Sequence, residues 1–113
     1  MDKLTRYRSL IKEILRKYAE LINTNPQPGR ETELIFDEKR DHYMLVHNGW
    51  SGTKRFRGTT VYVRIRNEKF WIEEDWLEYG ITPDLLEAGV PKEDIILAFQ
   101  SPKMRQYTEF ATA

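Results

Sequence analysis

Apolar residues recur at helical spacing near the start of the chain: Leu4, Tyr7, Leu10, Ile11, Ile14, Leu15, Tyr18, Leu21 and Ile22. At ~100° per residue they fill an arc of about 140°, leaving Arg6, Lys12, Glu13, Arg16, Lys17 and Glu20 outside it. The pattern predicts an amphipathic helix over 3–22, with Asp2 placed to cap its first turn. The segment Asn23-Thr24-Asn25-Pro26-Gln27-Pro28-Gly29 ends it, because two prolines cannot continue the backbone ladder.

Period-two patterning follows. Over 31–37, Thr32, Leu34 and Phe36 alternate with Glu31, Glu33 and Asp37; Ile35 breaks the rule. A charged turn over 38–41 leads to a second strand, 42–50, ending at Gly49 and Gly52. A third strand is expected over 59–66, with Val61, Val63 and Ile65 inward and Tyr62, Arg64 and Arg66 outward. A fourth follows over 69–74. If Asn67-Glu68 is a two-residue loop, Ile65 faces Phe70, Arg64 faces Trp71, Val63 faces Ile72 and Tyr62 faces Glu73. A one-residue slip would mix the apolar and polar faces, so the register is specified. Glu68 is an awkward residue there, since a type I′ turn needs φ > 0 where glycine is usual.

Thr82-Pro83 begins a short helix, with Thr82 as the cap and Gly89 past the end. After a turn at 91–94, the apolar run Ile95–Phe99 reads as a short buried strand, and the last dozen residues as an irregular tail. The expected fold class is therefore α+β: an N-terminal amphipathic helix, a four-stranded antiparallel meander, a short helix and a final strand. At 113 residues this is one domain, 1–113, able to bury one modest core.

Composition narrows the chemistry. No cysteine is present, so there is no disulfide, thiolate metal site or cysteine nucleophile. The longest apolar run falls far short of the ~20 residues that span a bilayer, and the first residues lack a signal-peptide core. A cytoplasmic protein without membrane contact is expected. Net charge is zero, but residues 1–67 carry a net of +6 and residues 68–113 a net of −6, a polarity that favours association.

Candidate chemistry is thin. No phosphate loop, dinucleotide fingerprint or zinc spacing occurs, so no catalytic residue, metal ligand or cofactor is assigned. His42 and His47, five positions apart on one strand, should face opposite ways. The acidic run Glu73-Glu74-Asp75 also alternates faces, which suits a solvated strand end better than a cation cage. The basic cluster is more informative: Lys54, Arg55, Arg57, Arg64 and Arg66 fall within 13 acid-free residues, beside Phe56, Tyr62 and, across the hairpin, Trp71. Arginines among aromatics on a sheet serve protein interfaces or nucleic acid, or simply form a solvated face. Arg55, Arg57, Tyr62, Arg64, Arg66 and Trp71 are the candidate partner- or DNA-binding residues.

Several ordered stretches resemble the XisI-like family, the fdxN element excision controlling factor proteins of cyanobacteria. They are Tyr7-Arg8-Ser9-Leu10-Ile11, Phe36-Asp37, Arg40-Asp41-His42-Tyr43, Gly49-Trp50 and Phe70-Trp71-Ile72. Gly80-Ile81, the run Gly89-Val90-Pro91-Lys92-Glu93-Asp94-Ile95-Ile96, Arg105-Gln106-Tyr107-Thr108 and Phe110-Ala111 complete the set. Asn67-Glu68-Lys69 departs from the Asn-Gly-Lys turn common in the family, and the stretch before Gly80 departs from its Asp-Gly-Thr-Glu pattern.

The resemblance implies a non-enzymatic accessory role. Such proteins act with a companion, XisH, to permit excision of a DNA element by a separate site-specific recombinase during heterocyst differentiation. A protein-binding module with a XisH-like partner, within a recombinase complex on DNA, is the leading expectation. Direct DNA binding is the alternative, and a small metal-dependent nuclease using Asp41, His42 and the acidic run is the least favoured. A homodimer is one way to cover exposed sheet edges.

Overall fold

Turns of two to four residues join the first four strands, and turns that short permit only antiparallel pairing. The computed structural model describes residues 2–113. Its elements are α1 (Lys3–Asn23), β1 (Arg30–Asp37), β2 (His42–Ser51), β3 (Lys54–Arg66), β4 (Lys69–Asp75), α2 (Thr82–Glu87), β5 (Ile95–Leu97) and α3 (Pro102–Arg105). The strands lie in chain order, β1-β2-β3-β4-β5. Only β5 runs parallel to its neighbour, because the crossover through α2 carries the chain back along the sheet before it re-enters. This is the expected α+β arrangement.

One face of the sheet is covered. Along α1 the buried residues Tyr7, Ile11, Ile14, Leu15 and Ala19 form one stripe, as the apolar spacing requires. They pack on Tyr43, Leu45, Val61, Val63, Ile65, Phe70 and Ile72 of the three central strands, with Ile81, Leu85 and Ile95 closing the far end. Burying each large apolar side chain contributes roughly 1.5–3 kcal/mol, so this seam, more than helix propensity, holds α1 in place.

Three carboxylates fix where the helix sits. The Tyr7 hydroxyl donates to Asp94 Oδ2 at 2.6 Å, and Lys3 Nζ lies 2.7 Å from the same oxygen. Arg8 forks onto Asp41, with Nε at 2.7 Å and Nη2 at 3.0 Å, while the Tyr43 hydroxyl donates to Asp41 at 2.8 Å. Near the other end, Tyr18 and Lys17 both donate to Asp84, at 2.5 and 2.6 Å. Burial and then the Asp94 carboxylate push the Tyr7 hydroxyl up to about 12. Burial alone would raise Asp94, but Lys3 and Tyr7 together bring its carboxyl below the ordinary range. The Arg8 guanidinium does the same for Asp41.

The structure departs from expectation in five places. Strand β3 begins at Lys54, five residues before the expected Thr59, because Ser51 pairs with Lys54 and the hairpin continues to its tip. Two bulges bend the sheet: in β3 Thr60 is extra opposite β2, and in β4 Glu73 is extra opposite β3. Tyr62 therefore faces Glu74 and not Glu73, although Ile65–Phe70, Arg64–Trp71 and Val63–Ile72 pair as anticipated. Thr82 does not cap α2; the helix starts at Thr82 after Ile81, with no side-chain cap bond, and Asp75 takes the Ile81 N–H instead, at 2.8 Å. The tail is not wholly irregular, since it contains α3 and a bridge between Ile96 and Ala111.

The Asn67-Glu68 turn keeps its awkward residue: φ is 53° at Asn67 and 59° at Glu68. Left-handed backbone costs an L-residue about 1–2 kcal/mol, which glycine avoids. Glu68→Gly should raise the urea midpoint by the equivalent of about 1 kcal/mol with an unchanged denaturant slope. Conversely, Tyr7→Phe removes a buried hydrogen bond to a carboxylate and should cost roughly 1.5–3 kcal/mol at neutral pH. A depressed native pKa adds stability above the unfolded value of about 3.9 that is lost as pH falls through the native one. With one lowering partner gone, the variant's urea midpoint should therefore drop less than the parent's between neutral pH and about pH 2.

Candidate docking surface

Alternation along the strands sends every second side chain to the face opposite α1. The register aligns these outward residues in level rows across three strands. From one end they are Glu31–Asn48–Arg57, Glu33–Val46–Thr59, Ile35–Met44–Tyr62 and Asp37–His42–Arg64. Read down each strand, β1 is acidic, β2 is neutral and partly apolar, and β3 is basic. Ile35, on the edge strand, is 50% exposed, and Trp50, at the hairpin tip, is 52% exposed.

Every candidate binding residue lies on this outer side. Arg55 sits at the tip with its guanidinium 5.0 Å from the Trp50 ring centroid, and Arg57 follows in the same column. The Tyr62 hydroxyl is 2.8 Å from His42 Nδ1, a pair that the chain order gave no reason to expect. Arg64 is half-buried, and its buried Nε has no hydrogen-bond partner among the described residues. Arg66, not Arg64, stacks on Trp71, at 5.0 Å, although Arg64 is the residue directly opposite it. The Trp71 Nε1 donates to Arg66 O at 3.1 Å, and Arg105 stacks on the ring at 5.7 Å.

That last contact limits the open area. Ile96 is beside Trp71, outside the α1-facing core, yet fully buried. The C-terminal segment covers this end: Ala111 bridges Ile96, and Arg105 donates to the carbonyls of Gln100 and Ala98. Trp71 is thus partly enclosed by its own chain, while the outer side of β1–β3 is open. The alternation of Glu31, Glu33 and Asp37 along the sequence marks the acidic face of β1, but only the register sets it level with the arginines of β3.

Groups suited to nuclease chemistry do not converge. Asp41 is turned toward Arg8 and Tyr43, whereas its neighbour His42 bonds Tyr62 on the outer face. His47 lies on the other side by alternation and bonds Thr60 at 3.0 Å. Burial raises the Asp75 carboxyl above its usual value, but its oxygens accept the Leu77 and Ile81 N–H groups. Glu74 accepts from the Trp76 indole. Among the described residues no three His, Cys, Asp or Glu side chains are placed to hold a metal ion, and no helix is long and apolar enough to cross a membrane.

The hairpin tip that carries Trp50 and Arg55 is anchored from below. Phe56 lies over Gly49, and the Arg30 guanidinium sits 5.3 Å from the Phe56 centroid. A Cβ at position 49 would fall 2.4 Å from Gly29 O and 2.5 Å from the Phe56 ring. Gly49→Ala should therefore cost about 1–3 kcal/mol by overpacking. Amide exchange should accelerate over 50–56 well before it does in the β3–β4 hairpin, as hydrogen-exchange mass spectrometry would show.

Comparison with known proteins agrees with this architecture. The model of the family described as XisI protein matches residues 1–112. The crystal structure of fdxN element excision controlling factor XisI from Anabaena variabilis is 46% identical, covers 99% of this chain and all of its own, and superposes with a TM-score of 0.88. A XisI-like protein from the same organism is 33% identical over 97% of this chain and 99% of its own, with a TM-score of 0.89. No curated protein matches the chain. With a family match along almost its whole length and the same fold in two relatives, the chain belongs to the XisI family.

Proposed function

We propose that this protein is a non-catalytic controlling factor in the excision of a DNA element, and that it works by docking onto another protein through the open face of its sheet. The relative named as an fdxN element excision controlling factor supports the role. One observation carries the mode of action: a sheet face without a covering layer, on which the half-buried Met44 and Val46 lie between an acidic and a basic column and Ile35 is exposed beside them. Interfaces favour Arg, Trp and Tyr around an apolar centre. The companion is a XisH-like protein, and the contacting residues are Arg55, Arg57, Tyr62, Arg64, Arg66 and the exposed part of Trp71.

The same face argues against DNA as the primary ligand. Glu31, Glu33 and Asp37 stand beside the arginines and would meet the same phosphates. Nor does a level sheet carry charge of one sign, the usual footprint of duplex binding.

The test is co-expression with a XisH-like protein followed by affinity purification through either chain. The two should co-purify. The double variant Arg57→Glu/Arg64→Glu should weaken the association by ~100-fold or more, as expected when charges at an interface are reversed. Lys103→Glu, on the far segment, should leave it unchanged. Failure of the folded proteins to associate, or equal retention of both variants, overturns the reading. Binding of duplex DNA that falls steeply with log[salt] would instead favour direct contact with phosphate.

A further inference from the structure

We propose that, when no other partner is present, the open face of β1–β3 is closed by a second copy of this chain, related by a two-fold axis that runs parallel to the strands above β2. This rests on the reading of that face as a protein-docking surface and names a partner for it.

The charge pattern selects both the occupant and the axis. Rotation about such an axis carries β1 of one copy over β3 of the other while keeping each row at its own level. Glu31 then meets Arg57, Asp37 meets Arg64, and Ile35 meets Tyr62; Met44 and Val46, on the axis, meet their own counterparts. Opposite charges face each other in both end rows; of the middle rows, one contributes Ile35, Met44 and Tyr62, and the other sets Glu33 opposite the Thr59 hydroxyl with Val46 on the axis. A two-fold axis across the strands would instead set β1 on β1 and β3 on β3, like charge on like charge. Isologous packing requires a self-complementary surface, and only the first axis provides one. Two sheets stacked in this way are ≈ 10 Å apart and nearly aligned, so level rows stay opposed near the axis.

Two further features agree. The C-terminal segment already covers the outer side around Ile96 and Trp71, so the open strip is centred on β2, where the axis must lie. Asp37 Oδ2 carries only a 3.3 Å contact to the exposed Arg40, and so has capacity for a guanidinium from outside the chain.

The experiment is light scattering coupled to size exclusion across a concentration series, with circular dichroism to confirm that every variant is folded. The parent should approach twice the 13.5 kDa of one chain. Because each substitution acts twice in a symmetric interface, Glu31→Arg or Arg57→Glu alone should raise the dissociation constant by ~10-fold or more. The double variant Glu31→Arg/Arg57→Glu should return it to within ~3-fold of the parent, since the pair is exchanged across the axis. Met44→Glu, which brings two carboxylates together on the axis, should give monomers.

A parent that stays monomeric throughout, or a dimer indifferent to these changes, overturns the inference. The co-purification assay separates it from the wider reading. If the parent is monomeric and Arg57→Glu/Arg64→Glu still loses the XisH-like protein, the docking face stands and the second copy does not. If the dimer forms and breaks as described while the XisH-like protein is retained by every variant, the reverse holds.

Discussion

The chain has one long helix to lay against a five-stranded sheet, and a sheet has two faces. That shortage shapes the molecule. The apolar stripe of α1 covers the side made by Tyr43, Leu45, Val61, Val63, Ile65, Phe70 and Ile72. The short tail covers only the β4–β5 end of the other side, where Ile96 is buried. The remaining surface of β1–β3 faces water and is correspondingly mixed, with charged and polar residues around a few apolar ones. An antiparallel sheet tolerates this, because one solvated face is normal for such a sheet.

The covered face is held by more than apolar contact. Three carboxylates on two connections, Asp41 in the β1–β2 turn and Asp84 and Asp94 in the β4–β5 crossover, each take a hydroxyl and a cation, and one or both of these come from α1. Apolar packing alone would permit the helix to slide by small amounts. Directional, charge-assisted bonds at both ends and at a flank remove that freedom. The rigidity has a consequence for the other side, since a sheet pinned from behind presents its outer rows in a constant arrangement.

On that outer side the arrangement is by column. The overall polarity of the chain, positive in its first part and negative in its last, is not what the outer face displays. Strand β1 belongs to the positive part and yet presents Glu31, Glu33 and Asp37, while β3 presents the arginines two strands away. Folding converts a charge gradient along the chain into a transverse one, separated by the neutral side chains of β2. A surface striped in this way is complementary in charge only to one with the opposite order of stripes.

Local pattern determined a good deal by itself. Periods of 3.6 and 2 gave the helix and four strands, and the opposed apolar residues on either side of Asn67-Glu68 gave the register from Ile65–Phe70 to Val63–Ile72. These depend on neighbours a few positions apart, whose spacing is written directly in the chain. Tertiary structure alone decided what depends on distant residues. It inserted Thr60 and Glu73 as bulges and so moved Tyr62 opposite Glu74. It also joined Tyr7 to Asp94, gave Trp71 to Arg66 and Arg105, and set the acidic β1 column level with the basic β3 column. A hydroxyl and a carboxylate 87 positions apart carry no mutual periodicity, and which face of a strand is left open depends on where the one helix comes to rest.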